Sequence, residues 1–401
     1  MRSQSLSAII AGEISRTGPI SFARFMELAL YHPEAGYYAS GRAPVGRGGD
    51  FYTNVSVGPV FGEILAGQFV EMWEVLGCPP DFTIVEQGAN DGQLALDVLA
   101  ALSQTPLRSA RFAIIEPFSR LRSLQRARLE GLGVTWHCSA DELSSFCGVH
   151  YSNELFDAFP VSLIRSENQV WKELRVVAAG KGFEFQSCPL PDELAAIAAS
   201  FPTRPDGFTT EVRTAHREGL RTLAAKLSRG FVLAIDYGMT SEDLLAPHRS
   251  EGTLACYSRH RRDSKPLESP GEKDISAHVD FTALSADAAA AGFALAGFAD
   301  QHHFLVGAAS GMLRELNGCE PTRHLRKKLL QLRTLLHPES MGTQFHAILF
   351  SKGGADFARL SGFQFARDPL RVLGVGLPAG DPSDSANRRN ENGARVSTSN
   401  V

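Results

Sequence analysis

Residues 83–99, TIVEQGANDGQLALDVL, decide how the rest of this 401-residue chain reads. An apolar, partly β-branched opening (Thr83, Ile84, Val85) runs into an acid at Glu86. Small turn residues follow from Gly88 through Ala89, Asn90 and Asp91 to Gly92, and then Leu94, Val98 and Leu102 recur at helical spacing. The pattern is a strand, a tight turn and the start of a helix. Gly88 and Gly92 lack Cβ, so the main chain there can take positive φ and come close to a ligand. The unpaired N–H groups of the helix start then face whatever occupies the turn. Such a turn indicates a nucleotide-like cofactor without saying which one.

Outward from this turn, strands and helices alternate. The spacing predicts a helix over about 91–104, a strand over 112–116, a helix over 119–129 and a strand over 134–138. A further strand ends near Ser152, and FVLAID at 231–236 is another. Alternation of this kind predicts an α/β fold with right-handed crossovers and a mostly parallel sheet covered on both faces. Ligands of such sheets bind beyond the carboxyl ends of the strands, and Glu86, Glu116, residues 153–157 and Asp236 all fall at such ends.

Upstream, two short helices flank Gly18-Pro19, the second capped by Ser21, and a helix is predicted over 59–76. Between them lies a long aromatic and glycine-rich loop running from Tyr31 past Tyr37 and Tyr38 to Thr53, of a length that tends to be functional. Downstream, residues 160–190 read as an antiparallel insertion and 239–280 as a polar one. Residues 293–298 and 345–350 read as a closing strand pair around a helical segment at 323–336. The expected division is an N-terminal helical and loop region over 1–77 that covers the cofactor site, and a main α/β domain over 78–355. A C-terminal extension over 356–376 and a disordered tail over 377–401 follow.

Net charge is −4, which gives no bulk electrostatic case for a nucleic-acid partner. No apolar run is long enough for a membrane span, and the N-terminus lacks the order of a secretory signal. The six cysteines are scattered without a C-x-x-C pair, which argues against a disulfide framework or zinc site and for a cytoplasmic protein. His302 and His303 are adjacent and read as structural, and no metal is expected. The run Arg259-His260-Arg261-Arg262 reads as a solvated loop.

Glu116 follows Gly92 by 24 residues, at the end of the next strand. An acid there accepts hydrogen bonds from ribose hydroxyls, although a solvent-facing strand-end acid would look the same. The turn is not G-x-G-x-x-G, because Asn90 stands between its two outer glycines. Asn tolerates left-handed backbone, so the turn survives with a weaker pyrophosphate cradle. That favours a cofactor without phosphates, such as S-adenosylmethionine, over a dinucleotide. In the segment SNELFDAFP at 152–160, Glu154 and Asp157 are three apart, so on a helical turn their carboxylates face one site. The alternative is that Asn153 caps a helix whose first turn carries the two acids.

Together these residues resemble the MidA-type class I methyltransferases along nearly the whole chain, from about Ile14 to Lys352. The matching motifs run in order. They begin with Gly49-Asp50-Phe51-x-Thr53 and Pro59-x-Phe61-Gly62-Glu63, and continue with the segment from Glu86-x-Gly88 to Asp97. Ile115-Glu116-Pro117 with Leu121-Arg122-x-x-Gln125 follows. Asn153-Glu154-x-Phe156-Asp157-Ala158-x-Pro160-Val161 is the most specific. Asp236-Tyr237-Gly238, Gly252-Thr253-Leu254, His278-Val279-Asp280-Phe281 and Met341-Gly342-x-x-Phe345 complete the set. Two departures stand out. The family turn commonly has three glycines and an Arg at the place of Asp91, and Asn54-Val55-Ser56-Val57 replaces a Pro-rich feature.

The resemblance implies a Rossmann-like sheet of seven strands with an antiparallel final hairpin, S-adenosyl-L-methionine as methyl donor, and a protein arginine as acceptor. The family includes a mitochondrial protein arginine methyltransferase that assists assembly of respiratory complex I, so a complex I subunit is the implied partner. On this reading Glu154, Asp157 and Asn153 are the catalytic candidates, with Asp280 in reserve. Glu86, Gly88, Gly92, Glu116, Asp141, Asp50 and Thr53 are the cofactor-binding candidates, Asp141 facing the adenine amino group, and Tyr37 or Tyr38 closes over the donor. Two rival readings keep the same fold. One is an NAD-dependent oxidoreductase, which the missing G-x-G-x-x-G disfavours; the other is a non-catalytic assembly factor, which has no need of Glu116, Glu154 and Asp157.

Overall fold

In the computed structural model, residues 5–40, 54–258, 261–315, 322–337, 342–354 and 360–375 are described. Asp50, Thr53, Arg259, His260, Cys319, Met341 and the tail expected at 377–401 lie outside them. The strand that opens the decisive stretch is β1 (Thr83–Gln87). It is joined by β2 (Arg111–Ile115), β3 (Val134–His137), β4 (Phe146–Asn153), β5 (Leu227–Met239), β6 (Ala294–Asp300) and β7 (Phe345–Lys352). The spatial order is β6-β7-β5-β4-β1-β2-β3. β1 to β5 run parallel, and β7 runs antiparallel to both β5 and β6. The short strand Val279–Asp280 pairs in parallel with the end of β5.

Side chains alternate between the two faces of a strand, so neighbours in β1 serve different cores. Ile84 packs with Ile114, Val149 and Leu233 beneath the helices Val60–Val75 and Gln93–Leu102. Val85 packs with Ile115, Val232 and Ile348 against the helices His216–Lys226 and Phe281–Ala290. Residues 231–235 of β5 are buried throughout, which is why that strand reads as one continuous apolar run. The chain steps outward from β1 to β3 and then returns to β4 on the other side of β1. The switch point therefore lies beyond the carboxyl ends of β1 and β4, where a doubly wound sheet opens a crevice.

A second core covers this crevice. Ser5 and Ser21 cap the helices Leu6–Thr17 and Phe22–Tyr31, accepting from the Ala8 and Arg24 N–H groups. Both helices pack on an antiparallel sheet of Ser162–Glu167, Val170–Ala179, Gly182–Pro189 and Thr209–Val212, to which Ile20–Ser21 adds an edge. Phe22, Phe25 and Met26 bury against Leu163, Leu174 and Val176, and also against Cys256 and Ile275 of the second insertion. The first insertion thus reaches residue 212 and not 190, because the short strand Thr209–Val212 pairs back on Ser162–Glu167. The expected boundary at 77 is also displaced. The helix Val60–Val75 belongs to the main core, whereas the helices Leu6–Thr17 and Phe22–Tyr31 share a core with both insertions.

Among the described residues no helix is long and apolar enough to cross a membrane.

Candidate active site

The turn after β1 needs three left-handed residues, and φ is +77° at Gly88, +47° at Asn90 and +82° at Gly92. Asn90 holds its conformation without glycine, as Asn does more readily than other residues with a Cβ. Replacing Asn90 by Gly is expected to change unfolding free energy by less than about 0.5 kcal/mol, whereas Val there costs about 1–2 kcal/mol. Urea denaturation of the two variants measures the difference.

The two glycines of the turn face different neighbours. A Cβ at Gly88 would lie 3.0 Å from Leu155 Cδ1, on the cavity side. A Cβ at Gly92 would lie 3.4 Å from Gln125 Cγ, on the helix Ser119–Arg128. Gly92 therefore shapes the turn, and its neighbours Asp91 and Gln93 line the cavity. Asp91, the residue that stands where the family has Arg, accepts from the Gln93 N–H and pairs with Arg128 at 2.5 Å.

Glu116 follows β2. Its Oε1 accepts from the Phe118 N–H at 3.0 Å, and its Oε2 accepts from Gln125 Nε2 at 3.2 Å. The same Gln125 amide donates to the Asn90 carbonyl at 2.8 Å, and its Oε1 accepts from Trp136 Nε1. Gln125 is fully buried, and it ties the acid after β2 to the turn after β1. Burial pushes the Glu116 carboxyl up to about 7 against these hydrogen bonds. Glu86, at the end of β1, accepts from the Tyr151 hydroxyl at 2.6 Å, and burial pushes it up to about 8.

Beyond β4 the chain turns sharply. Glu154 sits at φ +54°, an uncommon region for a residue with a Cβ, and its N–H donates to the Ile235 carbonyl. The short 3₁₀ turn Phe156–Ala158 follows. Asn153 does not cap it. Asp236, at the end of β5, does so with one oxygen: Oδ2 accepts from the N–H groups of Leu155 at 3.1 Å, Phe156 at 2.8 Å and Asp157 at 3.4 Å. Asn153 instead accepts from Asn54 Nδ2 and donates to Glu154 Oε1 at 3.0 Å. The buried Arg213 guanidinium spends its donors on the carbonyls of Asp157, Phe159, Ala277 and His278, fixing the same turn from the other side.

These contacts leave one buried oxygen of Asp157 unused. The Tyr237 hydroxyl donates to Asp157 Oδ2 at 2.7 Å, and Oδ1 is buried with no hydrogen-bond partner among the described residues. Burial pushes the Asp157 carboxyl up, while Tyr237 and Arg213 hold it down. Burial and the neighbouring Asp157 charge push Glu154 up to about 8.

Glu86, Gly88, Glu116, Asn153, Glu154 and Asp157 all line one cavity of about 1120 Å³. One wall is aromatic: Tyr31 stacks on Phe118 with planes 8° apart and on Tyr38 with planes 21° apart. Tyr31 donates to the Ala158 carbonyl at 2.8 Å, and Tyr38 donates to the buried Asp274 at 3.0 Å. Acids thus face the cavity from several elements, while the two arginines of its lining are paired, Arg24 with Glu13 and Glu27 and Arg128 with Asp91. Such a lining favours a cationic occupant.

Two expected site residues are elsewhere. Asp141 lies in an exposed turn, Ala140–Glu142, whose carbonyl at 141 accepts from Lys226 at 2.7 Å; that turn leans on the helix His216–Lys226 and is not among the cavity-lining residues. Asp280 caps the helix Phe281–Ala290 through the Ala283 N–H and accepts from Ser241, so it is a structural cap and not a reserve acid. Asp274, Arg213 and Tyr151 also belong to the site without a local sequence signal, whereas Gln125 and Tyr237 stand inside the motifs at 115–125 and 236–238.

Residues 64–299 match the family described as "Putative S-adenosyl-L-methionine-dependent methyltransferase". The chain is 29% identical over 310 residues to the mitochondrial protein arginine methyltransferase NDUFAF7 homolog of Drosophila melanogaster, covering 69% of this chain and 68% of that protein. It is 26% identical over 369 residues to the mitochondrial protein arginine methyltransferase NDUFAF7 of Homo sapiens, covering 83% of this chain and 80% of that one. A crystal structure of a Burkholderia thailandensis protein bound to S-adenosyl-homocysteine superposes with a TM-score of 0.79 at 32% identity, covering 90% of this chain and 95% of that chain. The two curated relatives are mitochondrial proteins, which overturns the expectation of a cytoplasmic one.

Proposed function

This chain belongs to the S-adenosyl-L-methionine-dependent methyltransferase family, and from that premise we propose that it methylates an arginine side chain of a protein substrate. The observation that carries this reading is the pair of acids, half-buried Glu154 and buried Asp157, opening into the same cavity as Glu86, Gly88 and Glu116. Small-molecule sites commonly occupy about 300–1,000 Å³, and a cavity of about 1120 Å³ leaves room for an acceptor side chain beside the donor.

S-adenosyl-L-methionine supplies, when bound, an electrophilic methyl carbon on a positively charged sulfur. Glu116 is held ready by Phe118 and Gln125 to accept from the ribose hydroxyls. Gly88 lets the main chain approach the methionine part, and Glu86 lies beside it. A guanidinium arrives protonated, because its pKa exceeds about 12. Glu154 and Asp157 Oδ1 accept from its N–H fork in charge-assisted hydrogen bonds and orient the nitrogen that attacks. Asp157 Oδ1 takes the proton that this nitrogen releases, a role suited to carboxyls whose pKa burial has raised. The Tyr31–Tyr38 wall shields the site from water and presents ring faces to a cation.

Two NDUFAF7 relatives carry protein arginine methyltransferase in their names, and a respiratory complex I subunit is the acceptor class that the family resemblance implies. Incubation with isotopically labelled donor and a cell lysate, followed by peptide mass spectrometry, tests the reading. Label on arginine supports it, and label confined to another residue type overturns it.

Glu116→Ala is expected to weaken S-adenosylhomocysteine binding by about 10–100-fold, the worth of hydrogen bonds to a charged group. Donor binding by the native chain should also tighten as pH rises. Ionisation of Glu116 through about 7 supplies the accepting carboxylate, and Glu86, beside the methionine part, follows near 8. Calorimetry across pH 6–9 should show a smaller gain in affinity with rising pH in Glu116→Ala than in the native chain. Equal affinity in the variant overturns the ribose assignment.

A further inference from the structure

One surface outside the cavity is strongly one-signed. The helix Arg323–Leu336, RHLRKKLLQLRTLL, carries Arg323, His324, Arg326, Lys327, Lys328 and Arg333 and no acid, in a chain whose net charge is −4. Its apolar side is used inside the protein: Gln331, Leu332 and Leu335 are buried, and the Gln301 amide donates to the Leu335 carbonyl at 3.1 Å. The outward side is a single stripe. Arg323, Arg326, Lys327, Leu330 and Arg333 are all exposed and recur at three- and four-residue steps, with Leu330 64% exposed at the centre.

Nothing within the helix itself offsets this stripe. Like charges at i and i+4, such as Arg323 and Lys327, destabilise a helix, and cations in the first turn oppose the helix dipole. The first turn here contains no acid to offset them.

The position of the helix gives the stripe a use. Gln331 lies against Gly58, where any Cβ would collide with its amide, and Lys328 pairs with Glu63 at 2.6 Å. Val55, Ser56, Gly58 and Pro59 line the cavity, so the helix backs one wall of its rim. The cavity is lined by acids, and the helix beside it presents cations to solvent.

We propose that the stripe docks an acidic segment of the protein acceptor whose arginine enters the cavity, a proposal that rests on the arginine reading for what the cavity takes. A 14-residue helix is about 21 Å long, a span that six or seven residues of extended chain cover. A lipid surface fits less well. A membrane-bound amphipathic helix buries an apolar face in the headgroup region, and here Leu332, Leu335 and Leu336 face the protein core while Leu330 is exposed.

The test uses the full chain and a fluorescent peptide of alternating Asp and Glu that lacks arginine. The native protein, with S-adenosylhomocysteine present, is expected to bind it at low salt and release it at about 1 M salt, where the screening length falls to about 3 Å. The triple variant R323E/K327E/R333E is expected to lose at least about tenfold in affinity, with S-adenosylhomocysteine affinity unchanged. A second variant, R323Q/K327Q/R333Q, serves if charge reversal prevents folding. For transfer, an arginine peptide with an acidic flank is expected to show a KM about tenfold below that of its Gly-Ser counterpart in the native chain. The two peptides are expected to show equal KM values in the variant and a common kcat.

Binding of the arginine-free acidic peptide without methylation of either substrate upholds the docking surface and defeats the arginine reading alone. Equal binding of the acidic peptide by native and variant protein overturns the proposal. So does sedimentation with phosphatidylglycerol vesicles in the absence of peptide binding.

Discussion

Asp157→Asn is expected to lower the rate of methyl transfer by about 10³-fold while leaving S-adenosylhomocysteine affinity within about twofold of native. General acid–base catalysis contributes about 10²–10⁴-fold, and this substitution removes the base together with the charge that orients the guanidinium. The geometry makes the change severe despite its small size. Tyr237 holds one oxygen of the carboxyl at 2.7 Å and leaves Oδ1 buried and open. In the asparagine variant the amide oxygen stays on Tyr237, and its NH₂ group meets the N–H fork of the acceptor, donor against donor. Donor binding is spared because Glu116 and Gln125 are tied to each other and to the turn after β1, and not to this turn. Single-turnover transfer from labelled donor and calorimetry on the same preparation measure the two effects. Retention of transfer within tenfold of native removes Asp157 from the chemistry. A parallel loss of donor binding moves it to the cofactor.

The parts of the site that were legible in the sequence are those fixed by local rules. β1, its turn and the following helix announce themselves through a β-branched run, two glycines and a 3.6-residue period. The β4 turn does so through two acids three residues apart. The assembly of strands around the switch point then brings both to one cavity, and Glu86, Glu116 and Glu154 were placed from strand ends alone. Where a side chain faces is not a local property. Gly92 has the expected backbone but turns toward Gln125, and Asp141 follows its strand but is drawn aside by Lys226. The covering core was least legible. Leu163, Leu174 and Val176 alternate as a half-buried sheet should, yet their partners Phe22 and Phe25 lie more than a hundred residues earlier. Asp274 and Arg213 reach the site only because that core places their segments against the β4 turn.

Asp236→Ala is expected to destabilise the protein by about 3–5 kcal/mol and to abolish transfer, whereas Asp236→Asn retains most of both. Three buried N–H groups, those of Leu155, Phe156 and Asp157, converge on Asp236 Oδ2. Each buried donor left unmade costs about 1–3 kcal/mol, and alanine strands all three. The clasp also holds Glu154 at φ +54°, a conformation that costs about 1–2 kcal/mol for a residue with a Cβ. Without the clasp the turn relaxes, and Glu154 and Asp157 lose their common aim. Burial and the charges of Asp157 and Glu154 push the Asp236 carboxyl well above its ordinary range. A neutral amide of the same shape keeps the oxygen that accepts from the three turn N–H groups and gives up only the bond from the Tyr237 N–H to Oδ1. Urea denaturation reports the stability difference and single-turnover transfer reports the alignment. The clasp is disproved if the alanine variant transfers at the native rate or the asparagine variant is as unstable as alanine. Rescue by asparagine separates this role from that of Asp157, where the same substitution is the damaging one: Asp236 accepts hydrogen bonds in either charge state, and Asp157 must carry charge and take a proton.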